Sequence, residues 1–493
     1  MSKTITLTAN DGTKVEFVDE IIGSDAMKDV YLSPDKSYVV GFFREPVSPD
    51  YQKRMIDIIG IYRKIGLSCY GNLFCWPTKM VEWDGKIGVV YPSYQKHFFF
   101  SSGNVKGKVK EGQWFASAKL RNRFLPTDEK GTWLSYYHIC IKIAKAVKLL
   151  HSEELIFSDL SYKNILVDPI TENVCFIMSE QSVIDTERKY DFEKYFQNVV
   201  GTPDFIAPEI FENRNFDLGD SNKILPSIQT DRHALAVLIY MYLLYRHPLR
   251  GGKVNDLDAA KDEELSMGKM ALFIEHPTDK SNRPKVQNLA PSELPQGDVT
   301  KLPYTICGPY LKALFDRAFI DGLHNPSMRP TADEWEQALI KTTDLMQPCQ
   351  NPNCESKWFV FDNTTKPRCP FCGKEYHGQL PVLNLYYSPE KGVFKPENYR
   401  LMVYDKQSLY KWHVNQYVAL NEKLTAEDKK PVGDFHFHNG KWILINRRLN
   451  SLYDKDEDRK IEIGQYVELT EGKKILLSTE DGGRLIIVQL VNN

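Results

Sequence analysis

The sequence predicts an α+β protein of several domains, and three observations carry that prediction. Residues 1–45 alternate short apolar and polar steps, the pattern of a β-hairpin-rich start. From Trp133 to about residue 345 the apolar residues recur at helical spacing. Residues 380–493 lose that spacing and offer KWILIN, IEIGQYVELT, KKILLST and GRLIIVQLV between Gly, Asn and Asp turns, which predicts a β-sandwich. At 493 residues the chain exceeds one ordinary core, so two to four domains are expected.

Composition narrows the class of partner. A formal net charge of -2 supplies no electrostatic reason to expect nucleic acid or an anionic membrane. No apolar run approaches the roughly 18 residues that span a bilayer, and MSKTITLTANDG has no signal-peptide core, so the cytoplasm is the default compartment. Five of the nine cysteines (Cys69, Cys75, Cys140, Cys175, Cys307) are scattered, mostly in apolar surroundings, and read as buried reduced thiols.

In chain order, PDYQKRMIDIIGIYRKI (49–65) places Met55, Ile58, Ile59 and Tyr62 at helical spacing. Two strands follow, LFCWPTKMVEW and KIGVVYPSY, joined by a turn at Asp84 and Gly85. Residues 93–131 are polar and basic and read as a solvated loop. The helix from Trp133 carries Ile139, Ile143, Ala146 and Leu150 along one face. It leads into ELIFSDLSYKNILVDPITENVCFIMSE, an apolar run, a polar loop, and the short strands ILVD and VCFI. Residues 211–345 read as helical, with 251–303 an extended loop holding one helix around MGKMALFIEH.

The polar loop is where chemistry concentrates. Asp159 and Asn164, five residues apart, can face one small space, where the carboxylate orients a hydroxyl and the amide oxygen takes a metal ion. The loop resembles the catalytic loop of protein kinases. GTPDFIAPEI, with Ala207, Pro208 and Glu209, resembles the end of a kinase activation segment. Asp231 in TDRHALAVLIYMYLLY and Arg329 in SMRPTADEW resemble the pair that ties a kinase C-lobe together, Arg329 to Glu209 in a buried salt bridge. The resemblance implies a bilobal protein-kinase-like fold, with an N-lobe at 1–92 and a C-lobe at 93–345. It also implies ATP and magnesium as cofactors.

The departures from that pattern decide the functional expectation. GSDAMKDVY resembles the glycine-rich loop over ATP phosphates, with Gly23, Asp25 and Lys28 where a kinase has three glycines. A carboxylate at Asp25 repels phosphate. Phe43 stands where the phosphate-binding lysine belongs; the with-no-lysine kinases share this vacancy, which nominates Lys28 as the replacement cation over a solvated lysine. Asp57 is either the helix acid that pairs with that lysine or a solvated residue. The resemblance puts the adenine-binding hinge at Val89, Val90, Tyr91 and Pro92. Phe157 and Ser158 replace the residues before the catalytic aspartate, Ser161 replaces a lysine, and Lys163 is a substitute for it at the γ-phosphate. Met178 stands at the magnesium-binding aspartate, and a thioether is a poor ligand for a hard cation unless Glu180, or Ser179 after a slip of one residue, supplies an oxygen.

Two functions follow from this. The first is a pseudokinase that recruits partner proteins. The second is an atypical Ser/Thr kinase using Asp159, Asn164 and Lys28, with Glu180 in place of the lost aspartate.

After the last helix, Cys349 and Cys354, then Cys369 and Cys372, form two knuckles that supply four thiolates to a structural zinc ribbon over 346–378. His436 and His438 alternate on a strand and read as exposed histidines rather than ligands. IGQYVELTEG and GKWILIN resemble a forkhead-associated domain, which makes the tail at 380–493 a candidate phosphopeptide reader, without that family's phosphate-binding pattern. GSDAMKDVYLSPDKSYVV and GTPDFIAPEI resemble bacterial kinase-like proteins of stress-response systems, which implies a phosphatase and a von Willebrand A-like protein as partners.

Overall fold

The computed structural model describes residues 3–24, 27–64, 73–179, 182–185, 201–213, 216, 220–361, 364, 366–390, 392–420 and 424–491. Asp25, Glu180 and Cys69 lie outside the described residues. The chain divides into two compact units, one of residues 1–131, 135–304 and 312–336, the other of residues 132–134, 305–311 and 337–493.

The first unit begins with β1 (Thr4–Thr8) and β2 (Lys14–Val18), an antiparallel pair. Then come β3 (Ile21–Ser24), β4 (Lys28–Leu32), β5 (Tyr38–Phe43), α1 (Pro49–Lys64), β6 (Phe74–Cys75), β7 (Lys79–Trp83) and β8 (Lys86–Pro92). Among the described residues β3, β4, β5, β8 and β7 form one antiparallel sheet in that order. The β7–β8 hairpin closes through Asp84 and Gly85, both at positive φ (50° and 71°), as a two-residue turn with right-handed strand twist requires. Phe17, Tyr31, Phe42 and Trp83 meet edge-on or tilted at centroid distances of 5.0–5.8 Å and fill one face. Gly88 is needed beneath them, because a Cβ there would lie 2.6 Å from the Phe42 ring. Met55, Ile58 and Ile59 of α1 are buried as their spacing predicts.

The helical part comprises α2 (Gln113–Ala116), α3 (Ala118–Phe124) and α4 (Trp133–Ser152), followed by β9 (Leu155–Phe157), β10 (Ile165–Asp168), β11 (Asn173–Ile177) and β12 (Val183–Asp185). β10 pairs antiparallel with β11, β11 parallel with β6, and β12 antiparallel with β9. The expected solvated loop at 93–131 is corrected: Phe98, Phe100, Val105, Phe115 and Ala118 are buried, and Lys110 bonds Glu129 and Asp168 (2.7 and 2.8 Å) in a buried triad. The helix expected around MGKMALFIEH lies earlier, at Ala259–Met267. Cys75, Cys140, Cys175 and Cys307 are buried, as expected.

The helix Ile228–Leu244 is the apolar axis of this part. Ser227 caps it, accepting the Thr230 N–H while Thr230 Oγ1 accepts the Ser227 N–H at 2.9 Å. Nearly every residue from Thr230 to Leu244 is buried. Arg329 binds Glu209 through both terminal nitrogens (2.8 and 2.7 Å) and donates to the carbonyls of Gly322, Gln229 and Leu323. That salt bridge was legible in the sequence.

In the second unit β13 (Met346–Pro348) pairs with β14 (Trp358–Val360). Beyond them, β15 (Leu380–Glu390), β16 (Val393–Met402), β20 (Tyr453–Asp454), β21 (Arg459–Lys460), β23 (Lys474–Leu476) and β24 (Leu485–Val491) make one sheet. β17 (Ser408–Leu409), β18 (Gly433–His438), β19 (Lys441–Asn446) and β22 (Tyr466–Glu468) make another. Leu383, Leu401, Phe435, Leu444, Val467 and Ile486, drawn from both sheets, share one apolar core. His436 approaches Asp405 (3.8 Å), and exposed His438 contacts Asn439.

Two stability predictions follow from the first unit. Arg329→Ala leaves Glu209 and three carbonyls without their donor and is expected to cost about 3–5 kcal/mol in denaturant unfolding. His247 donates from Nε2 to the Asp204 carbonyl (2.8 Å) and accepts the Leu249 and Arg250 N–H groups at Nδ1 (3.1 and 3.2 Å). Burial lowers its pKa to about 4. The unfolded chain, titrating near pH 6.5, therefore binds more protons than the folded one. Stability should fall as pH drops from about 6.5 to about 4, by a total of order 3 kcal/mol, and level off below. Denaturant midpoints measured across that range should show the drop, and His247→Gln should flatten it.

Candidate functional site

The polar loop is held from below. Asp231, in the first turn of Ile228–Leu244, accepts the Phe157 N–H (2.8 Å) and approaches His151 Nε2 (3.1 Å). This pins the end of β9, immediately before Asp159. In the loop, Asn164 Nδ2 donates to Asp159 Oδ2 (2.7 Å) and to the Asp159 carbonyl (2.9 Å), leaving Asn164 Oδ1 as the remaining acceptor of its amide. Asp159 Oδ1 accepts the Thr202 N–H (3.2 Å) and faces the Thr202 hydroxyl (3.4 Å), which also reaches Ser161 Oγ (3.2 Å). Burial raises the Asp159 pKa, opposed by the bonds from Asn164 and Thr202 and by nearby Lys163. The structure thus brings Asp159 and Asn164 together. Thr202, a third member, was not singled out from sequence; its signal was its place in GTPDFIAPEI, right after Gly201.

Lys28 lies on β4 directly opposite Phe43 on β5. Its ammonium sits 4.7 Å from the Phe43 centroid and 3.4 Å from the Tyr91 hydroxyl, and the side chain is buried. Lys28 therefore occupies the neighbourhood of Phe43. Gly41 makes room for it, since a Cβ there would lie 3.2 Å from Lys28 Cδ. Gly23 is exposed on β3, opposite Val30.

The expected hinge is corrected at Val89 and Val90. Both lie in the middle of β8, paired with Gly41 and Val40 on one side and with Met80 and Lys79 on the other, so neither offers a free backbone edge to an adenine. Tyr91 has a ladder partner only in Val39 and contributes its ring and hydroxyl instead.

Met178 follows β11. It is fully buried and its N–H donates to the Cys75 carbonyl at 3.0 Å. The backbone of Met178 is thus tied to β6, and its side chain is a buried thioether, a poor ligand for a hard cation. Ser179 Oγ is engaged with Ser182 Oγ (3.0 Å) and the Ser182 N–H (3.2 Å) in a local turn. The Asp159–Asn164 side of the site fits a cation and a hydroxyl substrate. On the other side Met178 offers a thioether, a poor ligand for a hard cation, and Glu180 lies outside the described residues.

Residues 115–338 match the family model for the protein kinase domain. Two probable LIM domain-containing serine/threonine-protein kinases of Dictyostelium discoideum are similar: one is 24% identical over 43% of this chain and 32% of its own length, the other 27% identical over 32% and 16%. CBL-interacting protein kinase 25 of Oryza sativa subsp. japonica is 29% identical over 24% of this chain and 20% of its own. The chain spans less than a third of the length of each relative. It carries a protein-kinase-like domain.

In the second unit Cys349, Cys354, Cys369 and Cys372 place their sulfurs within 4.8 Å of one another. The pairs Cys349–Cys372 and Cys354–Cys369 are 3.5 and 3.8 Å apart, too long for disulfides and close to the ~3.8 Å edge of a tetrahedron with Zn–S bonds of ~2.3 Å. Backbone N–H groups point at three of the sulfurs: Asn351 at Cys349, Ser356 and Lys357 at Cys354, Phe371 and Cys372 at Cys369. The hydrogen bond from Cys369 lowers the Cys354 thiol to about 5. Gly373, at φ +74°, supplies the left-handed turn that lets its N–H reach the Cys369 carbonyl (2.8 Å). The donor set is compatible with zinc, fully occupied by protein, and so structural. Metal analysis of the purified chain should return about one zinc per chain, and Cys369→Ser should lose it together with the folded signal of the ribbon.

Proposed function

We propose that the chain is a pseudokinase: a kinase-like platform with a degraded ATP and magnesium site that recruits partner proteins in signalling, with a zinc ribbon and a β-sandwich tail as further binding surface. The observation that carries this reading is Met178, buried and hydrogen-bonded to Cys75 where a hard cation needs oxygen. Phosphoryl transfer depends on positioning and charge neutralisation, so losing one metal ligand removes much of what the fold contributes. The partners we assign are a phosphatase and a von Willebrand A-like protein in the cytoplasm, on the strength of the sequence resemblance. No helix among the described residues is long and apolar enough to cross a membrane.

One observation favours a second reading, an atypical Ser/Thr kinase. Asp159 keeps both oxygens ordered by Asn164 and Thr202, and Lys28 is a buried cation beside Phe43. Thermal unfolding with millimolar ATP, with and without magnesium, separates the two. A ligand at a concentration equal to its Kd stabilises by only about 0.4 kcal/mol, and at a hundredfold excess by about 2.7 kcal/mol. The pseudokinase should show no magnesium-dependent shift, and Met178→Asp should introduce one. A magnesium-dependent shift in the native chain, with phosphate transfer lost in Asp159→Ala, would establish the kinase instead.

A further inference from the structure

Within the first unit a cavity of about 280 Å³ is lined by residues of α4, of the single turn Lys96–Phe98 and of the start of β11. That volume lies just below the ~300–1,000 Å³ of drug-sized sites and suits a small molecule. Leu73, Phe98 and Val174 make its apolar wall. Its charged lining is cationic: Lys142 and Lys145, three residues apart and so on one face of α4, line it, and among the described residues no Asp or Glu does.

What these groups touch sets the chemistry. The Lys142 ammonium donates to the Glu172 carbonyl (2.6 Å) and faces the Asn173 amide oxygen (3.4 Å), both neutral. The carboxylates around it contact other cations: Glu172 meets His138 Nδ1 (2.8 Å), Asp168 accepts from Lys110 (2.8 Å), and Glu336 accepts from Lys148 (3.0 Å). Burial lowers the Lys142 pKa, with Glu172 opposing, so its charge is held at a cost that an anion in contact would offset. His97 lines the same cavity, its ring 4.3 Å from that of Phe98, and its Nε2 is buried with no hydrogen-bond partner among the described residues. A ring nitrogen shut away from water without a partner is costly unless a ligand supplies one.

We infer that this cavity binds the phosphoryl group of a small phosphate monoester, its oxygens meeting Lys142, Lys145 and His97 Nε2 while its organic part lies on Leu73, Phe98 and Val174. A phosphoryl group fits better than a carboxylate, because it brings three acceptor oxygens to three nitrogens and close to two negative charges to two ammonium groups. The inference goes beyond the function proposed above: neither Asp159 nor the magnesium question enters it.

Isothermal titration calorimetry of the full chain at low salt, without nucleotide, tests it with inorganic phosphate and phenyl phosphate as probes. Both should bind saturably, phenyl phosphate at least about threefold tighter. Lys142→Met/Lys145→Met should weaken both at least about tenfold, and Lys145→Met and His97→Gln should each weaken them by less, while exposed Lys14→Met/Lys86→Met leaves them unchanged. Methionine keeps helix propensity at 142 and 145, and helical circular dichroism verifies that each variant is folded; the two single variants decide the matter where the double one is not. Absence of saturable binding, phenyl phosphate binding more weakly than phosphate, or affinity unchanged in Lys145→Met and His97→Gln would overturn the proposal.

Discussion

One buried carboxylate underlies the arrangement of the first unit. Asp231 sits where the helix Ile228–Leu244 begins, favoured there by the unpaired N–H groups and the helix dipole, and it reaches out to hold the Phe157 N–H. A backbone bond to a carboxylate is strong and directional, so β9 ends at a fixed point and Asp159 follows two residues later. Arg329 does the same on the far side of the chain, tying Glu209 to the carbonyls around it. The loop bearing Asp159 and the segment Gly201–Ile210 are thus fastened to one apolar helix from two directions, which is why Thr202 can meet Asp159.

The site built on that frame is lopsided. Its lower half is polar and ordered, with every oxygen of Asp159 engaged. Elsewhere in the unit Lys28 faces Phe43 across the strands with its ammonium donating to the Tyr91 hydroxyl, and buried Met178 donates its N–H to the Cys75 carbonyl. The second unit adds a cluster of four cysteines and two sheets with a common core.

How much of this could be read from the chain follows from how local each signal was. The Asp159–Asn164 pairing depends on five residues of loop and was legible. Glu209 with Arg329 was legible because both lie in recognisable strings. Lys28 was reached by noticing what Phe43 lacks, and the β4–β5 register then sets the two side by side. The hinge was misplaced because nothing in KIGVVYPSY marks where strand pairing stops, and β8 runs on to Pro92. Residues 93–131 looked solvated because lysines are scattered through the string, while Phe98, Phe100 and Phe115 are spaced to no single period: Phe100 packs on Phe115 within the segment, and Phe98 joins Cys75, Leu166 and Cys175 from outside it. Thr202 has no chemistry of its own, and only the folded chain places it against Asp159.

The claim at the centre is that the Met178 side of the loop cannot complete a magnesium site. A crystal structure grown with a non-hydrolysable ATP analogue and manganese, with anomalous data collected at the manganese edge, addresses it directly. The expected result is no anomalous peak in coordinating contact with Asn164 Oδ1. A manganese ion bound there, shared between Asn164 and an oxygen from residues 178–182, would contradict it.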